Sequence, residues 1–169
     1  MVGGLNCPPI CSWPELTRRK PISNSTSAQA LSRFATQAQR ALALGGDVNV
    51  SITSTNEMRS LNRRFRGKNK ATDVLSFPSQ TPGVAGDIAI SLEIAARSAN
   101  ALGHDLATEV KILILHGMLH LAGYDHEIDD GEMQEREATL RQKFKLPVGL
   151  IERTHTSPAR TITRGGRRA

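Results

Sequence analysis

Apolar residues recur along this chain with two periods, and the switches between them outline its elements. From Thr26 the positions Leu31, Phe34, Ala38, Ala41 and Leu42 share one side of a helix running to about Leu44. The capping box Thr26-x-x-Gln29 opens it and Gly45-Gly46 stops it. Asp47 to Thr53 alternates apolar and polar residues, the pattern of a half-buried strand. Ser54-x-x-Glu57 then caps a second helix, with Met58, Leu61 and Phe65 at helical spacing. Thr72 to Phe77, before Pro78, and Asp87 to Ser91 read as two further short strands. The loop between them, marked by Pro82-Gly83, would let them pair antiparallel.

Ser91 caps a third helix that Gly103 ends near Leu102, and a fourth runs from about Asp105 to Ala122. Its segment Val110 to Leu115 is apolar on nearly every side, so this helix is expected to be central and buried. Gly131 to Phe144 is a last amphipathic helix. Met1 to Lys20 shows no sustained period and reads as an extension, ending in a short edge strand near Arg19 to Ser23. The sum is an α/β fold of α+β character: a small mixed sheet of about four strands packed with about five helices around the histidine helix. The expected division is an extension over 1–21, one domain over 22–152 and a basic, disordered tail over 153–169.

Length agrees with one domain, since 169 residues can bury most of the surface an unfolded chain exposes. The longest purely apolar run, Ile112 to Leu115, is too short to span a bilayer, and the first residues lack a charged and apolar signal pattern. A cytoplasmic protein without membrane association is the expectation. Cys7 and Cys11 are the two cysteines, which excludes a disulfide framework and leaves half a zinc site with no second pair to complete it.

The net charge of +6 suggests nucleic acid until its distribution is read. Five arginines (153, 160, 164, 167 and 168) and no acid follow Glu152, leaving 17 basic against 16 acidic groups before them. Within the domain the charges segregate. Arg59, Arg63, Arg64, Arg66, Lys68 and Lys70 form a run without an acid, and seven acids from Asp125 to Glu137 face only Arg136. A charge run is commonly a solvated face, so the basic one becomes a binding surface only beside reactive chemistry.

That chemistry is the segment His116-Gly-Met-Leu-His120-Leu-Ala-Gly123-Tyr-Asp-His126, which holds three of the five histidines. His116 and His120 stand one helical turn apart, about 40° apart around the axis. Gly123 suits a left-handed helix stop, after which His126 can bring a third nitrogen to the same point. A lone histidine on a buried helix is more often a core residue than a ligand. Three buried imidazoles without partners would be costly, whereas coordination removes the cost. Three neutral imidazoles leave one tetrahedral position open, as in catalytic zinc sites. The zinc-peptidase signature has the same offsets but a glutamate after its first histidine, where this chain has Gly117.

Leu61-Asn-Arg-Arg-Phe-Arg66-Gly-Lys68-Asn-Lys70-Ala-Thr-Asp-Val-Leu-Ser-Phe-Pro78, Gly86-Asp-Ile88 and the histidine segment together resemble the YbeY family of bacterial rRNA maturation endoribonucleases. The resemblance covers roughly Ile22 to Glu152. It implies an α/β fold, one metal ion, usually zinc, on His116, His120 and His126, and cleavage of single-stranded RNA. It further implies maturation of the 3′ end of small-subunit ribosomal RNA, a part in ribosome quality control, and the small ribosomal subunit and the GTPase Era as partners. Arg66 matches the family's functionally required arginine. The amino-terminal extension and arginine-rich tail depart from the pattern and inherit no function.

The residues alone support a matching chemistry. A metal on three neutral ligands lowers the pKa of its water from ~15.7 toward ~7. A guanidinium offers two donors and a fixed charge to a phosphodiester. Arg66 and His116 are therefore the candidate catalytic residues, and Arg63, Arg64, Lys68 and Lys70 the candidate RNA contacts. The plainer reading of Arg66 is a surface ion pair. Asp125 and Asp87 could orient a ligand imidazole or simply serve turns. Two other functions stay open: a metallopeptidase-like zinc hydrolase, and a non-catalytic ribosome-assembly factor with a structural metal.

Overall fold

Helix α4, Leu106–Leu121, is the element against which the others are laid. In the computed structural model, which describes residues 25–147 and 149–151, eleven residues of α4 are buried, including all of 112–119. A helix apolar on every side must be covered on every side. Here α1 (Ser25–Ala41), α3 (Leu92–Leu102), α5 (Glu132–Phe144), β2 (Val74–Pro78) and β3 (Val84–Ser91) cover it.

The described strands form one mixed sheet in the order β1-β3-β2, with β1 at Asp47–Thr53. β1 runs parallel to β3, from Asp47 opposite Val84 to Thr53 opposite Ser91. Parallel neighbours need a crossover, which passes through α2 (Thr55–Arg66) and β2. β2 pairs antiparallel with β3, Val74 opposite Ile90 and Pro78 opposite Gly86, as the short loop between them suggested. Alternation sends Ile88 and Ile90 into the core shared with α4, and Ala89 with Leu75 toward Met58 and Leu61 of α2. Phe65 and Phe77 meet edge to face on the α2 side, 5.0 Å between centroids. The sheet is thus covered by α4 on one face and α2 on the other.

Five helices match the expectation, and the described sheet has three strands where about four were expected. The edge strand expected near Arg19 to Ser23 lies outside the described residues, as do the extension over 1–21, the tail over 153–169, and Cys7 and Cys11. Among the described residues, no helix is long and apolar enough to cross a membrane.

Of the expected helix boundaries some form as read and others do not. The Ser54–Glu57 box forms reciprocally, and Asp105 caps α4 by accepting from the Thr108 N–H at 2.8 Å. Ser91 occupies the cap position of α3 but makes no side-chain capping bond; its hydroxyl lies 3.3 Å from that of Thr55. Thr26 falls inside α1 rather than ahead of it. The same helix ends at Ala41, short of Gly45-Gly46, because Ala43 takes the left-handed conformation with φ 51°. The Ala43 and Leu44 N–H groups bond back to Arg40 and Gln39 carbonyls, and the Gln39 side chain donates to the carbonyls of Leu44 and Gly46.

Candidate metal centre

The last two turns of α4 carry His116 and His120 with their Nε2 atoms 3.2 Å apart. Beyond them the helix closes as the glycine suggested. Gly123 has φ 94°, its N–H donates to the His120 carbonyl at 3.0 Å, and the Tyr124 N–H donates to the Leu119 carbonyl at 3.1 Å. This is a Schellman stop, and it turns the chain back over the helix end. Asp125 fixes the next turn, its carboxylate accepting from the Glu127 N–H at 3.1 Å and its carbonyl from Ile128 and Asp129. His126, inside that turn, brings its ring 5.3 and 5.4 Å from those of His116 and His120, and one nitrogen from each of the three lies within 4.8 Å of the others.

Both helical imidazoles are held from behind. His120 Nδ1 donates to the Tyr124 carbonyl at 3.0 Å, and His116 Nδ1 donates to Glu137 Oε1 at 3.1 Å. With protons at Nδ1, the Nε2 atoms present lone pairs to one another. Burial, then the neighbouring His116 and His126, push His120 down to about 4, so it is neutral at neutral pH. Two lone pairs facing each other at 3.2 Å repel unless a cation draws both. Two ligands of a tetrahedral zinc, at ordinary Zn–N lengths, stand about 3.3 Å apart. The donor set and its spacing therefore fit a metal ion.

Glu137 was missed by sequence reasoning, which offered Asp125 and Asp87 for the orienting role. Asp125 instead serves the turn, and Asp87 accepts from the Asn49 side chain at 3.2 Å. Glu137 looked like one more acid in a solvated run, yet it is only 1% exposed. The legible signal was its spacing on α5, four residues after Met133 and three before Leu140, both buried.

Gly117 has a steric reason. A Cβ there would lie 2.9 Å from Ile88 Cγ2 and 3.0 Å from Ser76 Oγ, because α4 presses directly onto β2 and β3. A side chain there must push Ile88 or Ser76 aside, so this packing disfavours the glutamate that serves as the base in zinc peptidases. Gly117→Ala is expected to cost about 1–3 kcal/mol through overpacking. Urea unfolding of the metal-free protein measures it, and an unchanged midpoint would show the close approach to be dispensable.

The histidines line one wall of a cleft of about 1190 Å³, and Arg64, Arg66, Lys68 and Lys70 belong to its lining. Gly67, with φ 68°, ends α2 and releases the chain into the loop that carries the two lysines. Asn62, 5% exposed, fastens that loop by donating to the Lys70 carbonyl at 2.6 Å. Arg66 Nη2 lies 3.5 Å from Glu127 Oε2, both side chains about half exposed. The plain ion-pair reading of Arg66 and its placement in the cleft are thus both correct. Arg63 is exposed on α2 and does not line the cleft.

Fold and site define a class: an α/β protein with a three-histidine cluster able to hold a metal ion in the wall of a cleft lined by four basic side chains and by Asp73, Asp125 and Glu127. The chain belongs to the Endoribonuclease YbeY family, whose family model matches residues 15–145. It is similar to the Endoribonuclease YbeY of Koribacter versatilis, with 57% identity over 142 residues covering 84% of this chain and 93% of the relative. That of Solibacter usitatus is 50% identical, covering 75% of this chain and 86% of its own. Among solved structures, the solution structure of TM1509 from Thermotoga maritima matches with a TM-score of 0.53 at 28% identity, over 84% of this chain and 95% of that one.

Proposed function

We propose that the protein is an endoribonuclease that cuts single-stranded RNA with one zinc ion held by His116, His120 and His126. The observation that carries this reading is the convergence of three histidine nitrogens within 4.8 Å in the wall of a cleft also lined by four basic side chains. The name shared by the relatives supports the same activity. When bound, a divalent ion in such a set supplies Lewis acidity and lowers the pKa of water toward ~7. The chain itself contributes anchored ligands: His116 is held by Glu137 and His120 by the Tyr124 carbonyl, so neither ring needs to reorganise.

Arg66 is the proposed catalytic guanidinium, giving two donors to the non-bridging oxygens of the scissile phosphate once that phosphate displaces Glu127. Arg64, Lys68 and Lys70 hold flanking phosphates, and Arg63, off the cleft, reaches only RNA that continues past α2. Phe34 packs against Phe144 and Phe65 against Phe77, so among the described aromatics few rings, Tyr124 in the cleft lining chief among them, are left to stack on bases, and recognition leans on backbone charge and shape. The proposed substrate is the precursor of small-subunit ribosomal RNA, the setting the cytoplasmic small subunit, and a further partner the GTPase Era.

The test is metal removal. Protein stripped by a chelator should lose cleavage of a single-stranded RNA and regain it on adding one equivalent of zinc, with a mock purification run alongside to exclude contaminating nucleases. Cleavage that survives stripping sinks the proposal. RNA bound but left intact by the zinc-loaded protein would point to an assembly factor, and turnover of peptides with RNA untouched to a peptidase.

A further inference from the structure

Past α5 the chain does not leave the metal centre. The Leu146 N–H donates to the Arg141 carbonyl at 2.9 Å, and Arg141 Nη1 donates to the Pro147 carbonyl at 2.8 Å, which lays the segment back along α5. Four residues further on it reaches Glu137. The Ile151 N–H donates to Glu137 Oε2 at 3.3 Å, and the Ile151 side chain is 2% exposed in the main core. Gly149 is packed so closely that a Cβ on it would lie 2.8 Å from Glu137 Cδ, nearer still to Oε2, and 3.0 Å from Arg141 Nε.

The two oxygens of one buried carboxylate therefore have different duties. Oε1 accepts from His116 Nδ1, and Oε2 accepts from the backbone of the carboxy-terminal turn. A buried carboxylate is tolerable only with donors arranged around it, and their arrangement decides where it points. The direction matters because the oxygen behind an imidazole fixes which nitrogen of that ring faces the metal and how strongly it binds.

We propose that the turn Gly149–Ile151 is a positioning device for the metal centre, acting through Glu137 on His116. This rests on the metal reading above. Gly149 is needed for space, since any side chain there pushes the carboxylate off the line to His116 Nδ1. Ile151 anchors the turn and supplies the N–H that holds the second oxygen. Gly149 does not line the cleft, whereas Leu150 and Ile151 do, so the test below reads metal affinity rather than RNA binding.

The experiment is zinc titration of the full chain against a chromophoric competitor, for wild type, Gly149→Ala, Glu137→Gln and the double variant. Gly149→Ala and Glu137→Gln are each expected to weaken zinc binding by roughly 10–100-fold. The double variant should be no weaker than the worse single one, because both changes break the same link. Gly149→Ala should lower the metal-free unfolding midpoint through overpacking, so affinities are measured below every midpoint, where each variant is folded and a loss reports positioning rather than a general loss of structure. If Gly149→Ala does not fold, Ile151→Pro removes the N–H donor together with part of the buried side chain, and Ile151→Ala, which trims the side chain but keeps the N–H, is its control: the proline variant should weaken zinc binding roughly 10–100-fold and the alanine variant should not. Wild-type affinity in Gly149→Ala and Ile151→Pro, or losses that add fully in the double variant, overturn the proposal. A wild-type protein that takes up no zinc would instead defeat the metal reading itself.

Discussion

His120→Ala is expected to yield a folded protein that neither keeps a metal ion nor cuts RNA. The substitution removes one of three converging donors and, with it, the Nδ1 bond to the Tyr124 carbonyl that steadies the turn bearing His126. Loss of a supporting partner alone costs about 10–100-fold in affinity, so loss of a donor should cost at least about 100-fold. The metal-free fold should hardly notice, because removing a half-buried ring from the mouth of a cleft leaves the apolar core intact. The contrast appears on heating. Zinc should raise the melting temperature of the wild type, since a ligand of the native state stabilises it by mass action, and should not raise that of the variant. Metal analysis after gel filtration provides the direct check. A variant that still carries one ion per chain at wild-type affinity would remove His120 from the ligand set.

Arg66→Ala should do the opposite to the two observables: keep the metal and lose most of the cleavage. Arg66 touches none of the three histidines, and its ion pair with Glu127 is a half-exposed contact at 3.5 Å. Such pairs contribute about 0–1 kcal/mol, so stability should barely move. A donor aimed at charge that develops in the transition state is worth about 10²–10³ in rate, and that is the expected fall in kcat. Arg66→Lys restores the charge but not the planar fork and should recover only part of the loss. Single-turnover cleavage at saturating RNA makes the measurement. A fall confined to KM would demote Arg66 to one more phosphate contact, and unchanged kinetics would return it to the role of a surface ion pair.

Where a single residue type carries a local rule, the chain could be read directly. Gly123, Gly67 and Gly103 end helices because each takes a left-handed conformation that glycine adopts without strain, and Ser54 and Asp105 cap because their oxygens reach an open N–H. The three-histidine cluster was legible for the same reason, its spacing being local to one helix and one turn. What escaped depends on contacts distant in sequence. Ala43 and Lys145 stop helices in the left-handed conformation, although neither residue type announces it. Glu137 reaches His116 from another helix, 21 residues away, and its acid neighbours disguised it as surface. Gly117 could be seen to lack a base, but the crowding by Ile88 and Ser76 that disfavours one appears only once the sheet is in place.

One backbone oxygen ties together donors that look separate in the chain. The Tyr124 carbonyl that receives His120 Nδ1 belongs to the same bend that delivers His126. Any change in that bend therefore reaches two of the three clustered rings at once, by turning one and carrying the other away. The centre should assemble and fail as a unit, so variants within 123–125 would be expected to show all-or-none loading rather than a graded series of weakened sites.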